Sequence, residues 1–154
     1  MRKLLVATSV IGIAVLGTGL AGAAGSRIVE EETFSITENT TFVVFDTKAA
    51  DLGDMDPGDE VIYRSQLLDP TDGTKVGLDR VNCTINKPPM MICTAALALT
   101  GRGTISAQFA ADVTSPEGFL MAITGGTGEF ENVRGSITAD TSDQVATLTF
   151  HLLP

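Results

Sequence analysis

Short runs of strand-forming residues, each bounded by turn signals, occupy almost all of the chain after about residue 30. The links between them are rich in glycine, proline, aspartate and asparagine, the residues that favour tight turns. No run shows the apolar i, i+3, i+4 spacing of a long amphipathic helix. The sequence therefore predicts eight strands: Thr33–Asp46, Glu60–Leu68, Thr74–Ile85, Met90–Leu99, Gly103–Asp112, Gly118–Thr124, Glu129–Ala139 and Gln144–Leu153.

The predicted strands alternate apolar and polar residues. Leu148, Phe150 and Leu152 fall on one face of the last strand, and Thr149 and His151 fall on the other. Eight consecutive strands with short links favour a closed barrel over a two-sheet sandwich, because closure removes both sheet edges. We therefore expect an all-β fold, an eight-stranded antiparallel up-and-down β-barrel, which is wide enough to be filled by side chains or to hold one small ligand.

The N-terminus has the pattern of a secretory signal peptide. Arg2 and Lys3 precede an uncharged apolar run, Leu4–Leu20, and the small residues Ala21 and Ala23 give an A-x-A cleavage pattern. A retained anchor helix is the alternative, although the run is shorter than a membrane span requires. The sequence thus predicts a signal peptide over residues 1–23, a single barrel domain over residues 24–154, and a secreted or cell-envelope location without a membrane span in the mature form.

The charge of the chain is strongly acidic, with a formal net charge of −9. Removing Arg2 and Lys3 with the signal leaves 8 basic residues against 19 acidic ones, a net charge of −11. Such a surface repels nucleic acid and anionic lipid headgroups. Neither is an expected partner.

The two cysteines predict one disulfide bond. Cys83 and Cys93 lie symmetrically about Pro88, so they face each other across a hairpin between two predicted strands. An exported protein meets an oxidising compartment. The bond should stabilise the fold by about 2–3 kcal/mol. A redox-active pair is disfavoured because the C-x-x-C spacing is missing.

The glycine-rich stretch Ile123–Ile137, "ITGGTGEFENVRGSI", raises the question of a phosphate-binding loop. No lysine follows the glycines as a Walker loop requires, and Glu131 occupies the place of the third glycine of a dinucleotide fingerprint. A tight hairpin between the sixth and seventh strands explains the glycines better. It places Phe130, Asn132 and Arg134 on one face of the seventh strand. If that face lines the interior, Arg134 needs an anionic or hydrogen-bonding partner.

The same stretch resembles the G-G-T-G-x-[FY]-x-x-x-R-G segment of plant dirigent proteins and their relatives with the allene oxide cyclase barrel. "GDEVIYRSQLLD", "GTKVGLDRVNCTI", "GRGTISAQFAAD" and "TLTFHL" fit the same family in the same order, so the likeness spans roughly residues 33–153. The resemblance implies a barrel, commonly trimeric, with an apolar pocket open at one end. It also implies cyclisation or stereoselective coupling of a small apolar or phenolic molecule without a metal or cofactor.

Three catalytic candidates follow from this resemblance. Arg134 matches the arginine of the motif. Asp46 closes "FVVFD", where dirigent-type sequences often place an acid of the first strand, and Glu38 lies nearer the first-strand glutamate of the cyclases. A carboxylate in an apolar barrel has its pKa raised by desolvation or lowered by a nearby arginine, and either shift suits acid–base chemistry. The alternatives are a structural ion pair for Arg134, a solvated loop position for Asp46 and the capping of a strand bulge for Glu38.

The candidate ligand contacts are Tyr63, Phe130 and Asn132. Tyr63 adds a phenol that can donate a hydrogen bond to a substrate oxygen. No metal site is expected. His151 is the only histidine, and the acidic stretch Asp51–Glu60 breaks the order of an EF-hand loop.

Three functions are compatible with these patterns. The first is a cofactor-free barrel of the dirigent and allene oxide cyclase type that directs cyclisation or coupling, acting as a homo-trimer or homo-dimer. The second is a non-catalytic, lipocalin-like carrier or cell-envelope ligand-binding protein that uses the same cavity. The third is a structural barrel whose interior is filled by Phe, Leu and Met. The first-strand acids and Arg134 favour the first function over the third.

Overall fold

A computed structural model describes residues 31–46, 54–112, 114, 118–142 and 145–153 of the chain. The predicted signal peptide lies outside these residues. No helix in the described part of the chain is long and apolar enough to cross a membrane. The elements are β1 (Glu32–Asp46), β2 (Glu60–Leu68), β3 (Lys75–Lys87), β4 (Met90–Leu99), β5 (Gly103–Asp112), β6 (Phe119–Gly126), a 3₁₀ turn (Gly128–Phe130), β7 (Arg134–Asp140) and β8 (Ala146–Leu153).

The eight strands form a closed barrel in chain order. Each strand pairs antiparallel with the next, and β1 closes the wall by pairing with β8. This confirms the predicted up-and-down barrel. The predicted bounds of β2, β4 and β5 agree with the observed ones, because glycine, proline and aspartate clusters flank those strands.

The inner face of the barrel is apolar. Alternate residues of β3, β4 and β5 are buried, as a period of two requires when one face of a strand packs in the core. Cys83 and Cys93 are directly opposite each other on β3 and β4, are fully buried, and form the predicted disulfide. Two stacked ring pairs, Phe34 with Phe150 and Phe109 with Phe119, add to the core.

The seventh strand departs from its predicted bounds. It begins at Arg134 rather than Glu129, because the chain first makes the 3₁₀ turn and then passes through Asn132 at a φ of 65°. This turn packs directly against the β4–β5 turn. A Cβ on Gly103, whose φ is 130°, would collide with the Thr127 carbonyl, so only glycine permits the contact.

The connection between β6 and β7 closes one end of the barrel, here called the closed end. Phe130 is only 2% exposed and lies under the guanidinium of Arg102, which is 4.8 Å from the Phe130 ring centroid and 5.3 Å from that of Phe34. Arg102 also forms ion pairs with Glu32 (3.3 Å) and Glu129 (3.0 Å). The glycine-rich stretch is therefore a plug and not a phosphate loop.

At the opposite end, here called the open end, the inner face of β1 is exposed. A β-bulge between Thr40 and Phe42 shifts the register of β1. Beyond it, Val43 pairs with Tyr63, and Phe45 pairs with the buried Val61, so both β1 side chains share the inner face. Val43 is nevertheless 44% exposed and Phe45 47% exposed. Val43 and Phe45 therefore present apolar side chains to solvent at this end of the barrel.

Candidate functional site

The buried polar side chains of the described residues lie together on one part of the wall. They are Glu38 on β1, Ser65 on β2 and Asp79 on β3. Ser65 pairs directly with Thr40 on one side and with Asp79 on the other, and Glu38 is the next inward residue of β1 below Thr40. Three neighbouring strands thus bring two carboxyl groups into one site, here called the acid pair, Glu38 and Asp79.

The acid pair is held by hydrogen bonds within the wall. Glu38 hydrogen-bonds with the side chains of Ser65 and Asp79. The Ser65 hydroxyl also lies 3.3 Å from the hydroxyl of Thr40, which fixes its position. Even so, Glu38 Oε1 and Asp79 Oδ1 are buried and have no hydrogen-bond partner among the described residues. An unsatisfied buried oxygen is costly and calls for an explanation.

The acid pair holds its protons unusually tightly. Burial raises the pKa of Asp79 to about 8, and the charge of Glu38 and the hydrogen bond between the two carboxyls add to that increase. Burial also raises the pKa of Glu38, against the lowering effect of its hydrogen bonds with Ser65 and Asp79. Two carboxyls this close cannot both ionise easily, so the pair loses its second proton only at a raised pH.

Tyr63 lies one inward position above Ser65 on β2, towards the open end. Burial, and then the negative charges of Glu38 and Asp79, raise the pKa of its phenol far above the ordinary value. The phenol therefore stays protonated at every physiological pH. It can donate a hydrogen bond to an oxygen or nitrogen of a ligand.

Two of the predicted site residues meet in the lumen. Glu38 and Tyr63 line the same wall. Asp46 ends β1 opposite Glu60 at the open end, and its side chain lies outside the described residues. Its role stays a prediction.

The expected orientation of Arg134 and Asn132 is wrong. Arg134 is exposed, because the buried positions of its segment are Val133, Ile137 and Ala139, which fixes Arg134 on the outer face. Asn132 is exposed in the turn before β7. Both line a surface depression of about 700 Å³ between the ends of β6 and β7, outside the barrel. Neither side chain reaches the acid pair.

Phe130 is inside the barrel but at the closed end, packed beneath Arg102. It does not share a strand face with Arg134, because the 3₁₀ turn and the left-handed Asn132 interrupt the alternation between them. Its observed contacts are those of a plug.

Sequence reasoning missed Asp79 and Ser65. Asp79 lies an even number of residues from Val81 and Cys83 on β3, so it shares their face of the strand. The disulfide of Cys83 identifies that face as the inner one. Ser65 has the same parity as Tyr63. Neither residue belongs to a recognisable motif, so only the closed barrel brings them together with Glu38.

Comparison with known proteins finds similar solved structures but no matching sequence family. No protein-family model and no curated protein sequence matches the chain. Among solved structures it is similar to one titled pyocyanin demethylase, with a TM-score of 0.69 and 28% identity over 79% of this chain and 100% of that one.

Two further neighbours are below 25% identity and show the fold alone. They are the exo-specific intermolecular Diels-Alderase AbnU (TM-score 0.59, 16% identity, 80% of this chain and 99% of that one) and the pterocarpan synthase dirigent protein PsPTS1 (TM-score 0.61, 19% identity, 80% and 93%). Dirigent proteins and cyclase barrels are thus structural neighbours of this chain, in agreement with the dirigent and allene oxide cyclase type of barrel.

Proposed function

We propose that this barrel binds a small, largely apolar molecule in its lumen and directs its cyclisation or stereoselective coupling by proton transfer. The observation that supports the proposal is the acid pair, two carboxyl groups buried together beside a phenol on an otherwise apolar wall. Carboxyls with raised pKa values inside an apolar barrel are typical of acid–base sites. The dirigent and Diels-Alderase neighbours support the reaction class through their fold.

The proposed chemistry uses the singly protonated state of the acid pair, in which the two carboxyls share one proton. The protonated member, Asp79, donates to a substrate atom on which negative charge develops, and the ionised Glu38 accepts a proton from a neighbouring atom of the same substrate. The pair then again holds one proton, so a cyclisation by this route needs no net proton from solvent. The phenol of Tyr63 orients a polar substrate atom.

Entry of the substrate takes place at the open end. Val43 and Phe45 present half-exposed apolar side chains there, whereas Phe130 and Arg102 fill the closed end. A substrate that enters past Val43 meets Tyr63 first and the acid pair next. Its polar group therefore points inward and its apolar part lies towards the mouth. The proton transfers of a cyclisation need no metal or organic cofactor, because the acid pair and the substrate exchange the protons. Coupling of phenols would in addition need an external one-electron oxidant that generates the radicals.

The experiment begins with native mass spectrometry of the protein mixed with lipid and phenolic extracts, which identifies a bound small molecule. Its conversion is then compared for wild type, Glu38→Gln and Asp79→Asn. We expect either variant to lower the turnover by about a hundredfold or more, because an acid–base group is removed while the shape is kept. The exposed Glu131→Gln is the matched control and should leave turnover unchanged. Equal turnover in Asp79→Asn and wild type would refute the proposal.

A carrier remains the second candidate, because buried acceptor oxygens without partners also suit the capture of a ligand. The two functions differ in one observable. A carrier releases its ligand chemically unchanged after incubation, whereas the proposed enzyme releases a product of equal mass and different structure, or a coupled product.

Export and assembly belong to the same proposal. The Cys83–Cys93 disulfide supports an extracytoplasmic location, since such bonds persist in oxidising compartments. The predicted signal peptide supports it as well. N-terminal sequencing of the protein from the culture medium or envelope should start after residue 23. Native mass spectrometry should also reveal a homo-trimer or homo-dimer, as the resemblance implies.

A further inference from the structure

The acidic side chains inside the barrel have no basic side chain beside them on the described strands. All the lysines, arginines and histidine of the eight strands are exposed: Arg64, Lys75, Arg80, Lys87, Arg134 and His151. Arg102, in the β4–β5 turn, is occupied by Glu32 and Glu129 at the closed end. The described strands therefore give the inner wall two acids, Glu38 and Asp79, and no basic side chain.

Each acid also keeps one oxygen unused. Glu38 is 8% exposed and Asp79 is 3% exposed, and Glu38 Oε1 and Asp79 Oδ1 have no partner among the described residues. A buried anion is normally paired with a cation or with several hydrogen-bond donors. Nearby donors are the hydroxyls of Ser65, Thr40 and Tyr63 and the backbone N–H of Arg80, which hydrogen-bonds to Asp79, but the strands that form this wall place no basic side chain beside the pair. The site is therefore electrostatically incomplete.

We infer that the lumen selects an organic monocation: a small, largely apolar molecule whose single positive centre lies against Glu38 and Asp79. This inference deepens the proposed function, because it concerns the substrate of the same lumen. It concerns only binding, however, and does not depend on any catalytic step.

The surroundings of the acid pair favour an organic cation over a metal ion. The described residues contain no group of three or more His, Cys, Asp and Glu side chains that could hold a metal ion. Two carboxyls alone would leave most of the coordination sphere of a divalent cation unfilled. The neighbouring wall offers the apolar Leu67, Val81 and Leu97 and the ring of Tyr63. Apolar and aromatic surfaces are what the body of an organic cation needs.

The expected preference has a direct electrostatic cause. The pair carries one negative charge while it holds one proton, so a monocation neutralises it, whereas a neutral molecule of equal shape leaves it unpaired. An incoming cation also favours the fully ionised pair and drives off part of the shared proton. The other titratable group that faces the pair from the described elements is Tyr63, and its phenol stays protonated.

The test uses two flat probes of nearly equal shape, N-methylquinolinium, which is a permanent cation, and quinoline, which is neutral at mildly alkaline pH. Isothermal titration calorimetry measures the affinity of the wild-type protein for each. We expect the cation to bind about tenfold more tightly or better. Equal affinities, or tighter binding of quinoline, would overturn the inference. So would displacement of the cation by stoichiometric magnesium chloride, because that result would identify an inorganic site.

The variants Glu38→Gln, Asp79→Asn and their combination locate the preference. Each single variant should reduce the ratio of the two affinities, and the double variant should abolish it, while Glu131→Gln retains it. A preference that survives in a folded double variant belongs to the outer surface and contradicts the inference. Circular dichroism establishes that each variant is folded.

A wild-type measurement covers the case in which the variants do not fold. Titrations of the cation in two buffers with different ionisation enthalpies report protons released on binding. Release of a fraction of a proton per bound cation is expected, and its absence would contradict binding at the acid pair. These experiments measure binding and need no turnover. A preference for the cation without conversion of any ligand would contradict the proposed enzyme activity and support this inference. Conversion of a neutral substrate without a preference for the cation would contradict this inference and support the enzyme activity.

Discussion

The closed end and the acid pair both place ionisable side chains against apolar ones, but only the closed end pairs them with side chains of opposite charge. Partial burial by itself lowers the pKa of Arg102, yet its hydrogen bonds and charge interactions with Glu129 and Glu32 outweigh this effect and raise the pKa. Burial instead raises the pKa of Glu38 and Asp79, and no basic side chain of the described strands offsets it.

This difference separates structural charge from functional charge. At the closed end the guanidinium lies over two aromatic rings and between two carboxylates, so its charge is compensated where the fold is sealed. In the lumen the compensation is left to a ligand. Proteins that carry an unpaired buried charge usually do so for a binding or catalytic reason. The following changes break or sharpen that contrast.

Truncating the plug should have the largest effect on stability. Phe130→Ala removes a fully buried ring at the closed end, and we expect the free energy of unfolding to fall by about 3–5 kcal/mol. Urea denaturation measures the change. Phe42→Ala is the matched control, because Phe42 is 46% exposed on the outer face and should cost far less. Similar losses for the two variants would mean that the closed end is not part of the core.

The disulfide is expected to contribute less than the plug. Replacing Cys83 and Cys93 together by alanine should lower the free energy of unfolding by about 2–3 kcal/mol, since the cross-link restricts the unfolded chain. Urea denaturation of oxidised wild type and the double variant gives the difference. Thiol titration of unfolded, unreduced wild type should find no free thiol. Two free thiols would instead show that the covalent link between β3 and β4 is missing.

The acid pair should make stability fall as the pH rises. Folding raises the pKa of Asp79 from 3.8 to about 8. Between these two pH values the folded protein holds a proton that the unfolded chain has lost. The stabilisation is complete below the pKa of Asp79 in the unfolded chain. It is lost as the pH rises to the pKa of Asp79 in the folded state. We expect a loss of about 1–2 kcal/mol between mildly acidic and mildly alkaline pH. Chemical denaturation at several pH values measures it.

The same measurement on Asp79→Asn provides the contrast with a site that cannot titrate. Its stability should vary less with pH over this window, because the carboxamide carries no proton to lose. A wild-type stability that rises with pH across the window would contradict the raised pKa. That result would mean that the carboxyls of the acid pair are stabilised in their ionised form, as the carboxylates of the closed end are by Arg102.

The ion pairs of the closed end should have the smallest effect. Arg102→Met keeps an apolar stem over the rings and removes the charge, and we expect a loss of about 1 kcal/mol or less, because these pairs are partly exposed. High salt should shrink the difference from wild type. Arg64→Met is the control, since Arg64 lies over the Phe42 ring at 5.3 Å. A loss well above that of the control at high salt would show that contact with the rings, rather than ion pairing, holds the plug.

The barrel itself could be predicted from the sequence because its signals are local. Turn residues fixed the ends of β2, β4 and β5, and the symmetric spacing of Cys83 and Cys93 fixed one register. β7 could not be placed in this way. Glycines permit several backbone paths, and the one adopted, a 3₁₀ turn against the β4–β5 turn, depends on contacts far away in the sequence.

The candidate site could be predicted only in part, because the direction of a side chain follows from parity along an uninterrupted strand. Glu38 and Tyr63 lie on strand segments whose parity holds, and both face the lumen. Arg134 was counted from Phe130 across a turn that resets the parity, so its orientation was wrong. Asp79 has a readable parity, but its proximity to Glu38 requires three strands in register.

The whole acid pair, with Tyr63 and Ser65, comes from β1, β2 and β3, whereas β4 to β8 supply the facing apolar wall with residues such as Ala107, Met121 and Ile137. The buried acids and the apolar wall that faces them are therefore encoded in consecutive, separate parts of the gene. Recombination or directed evolution confined to the second part would change the apolar wall and leave the buried acids in place.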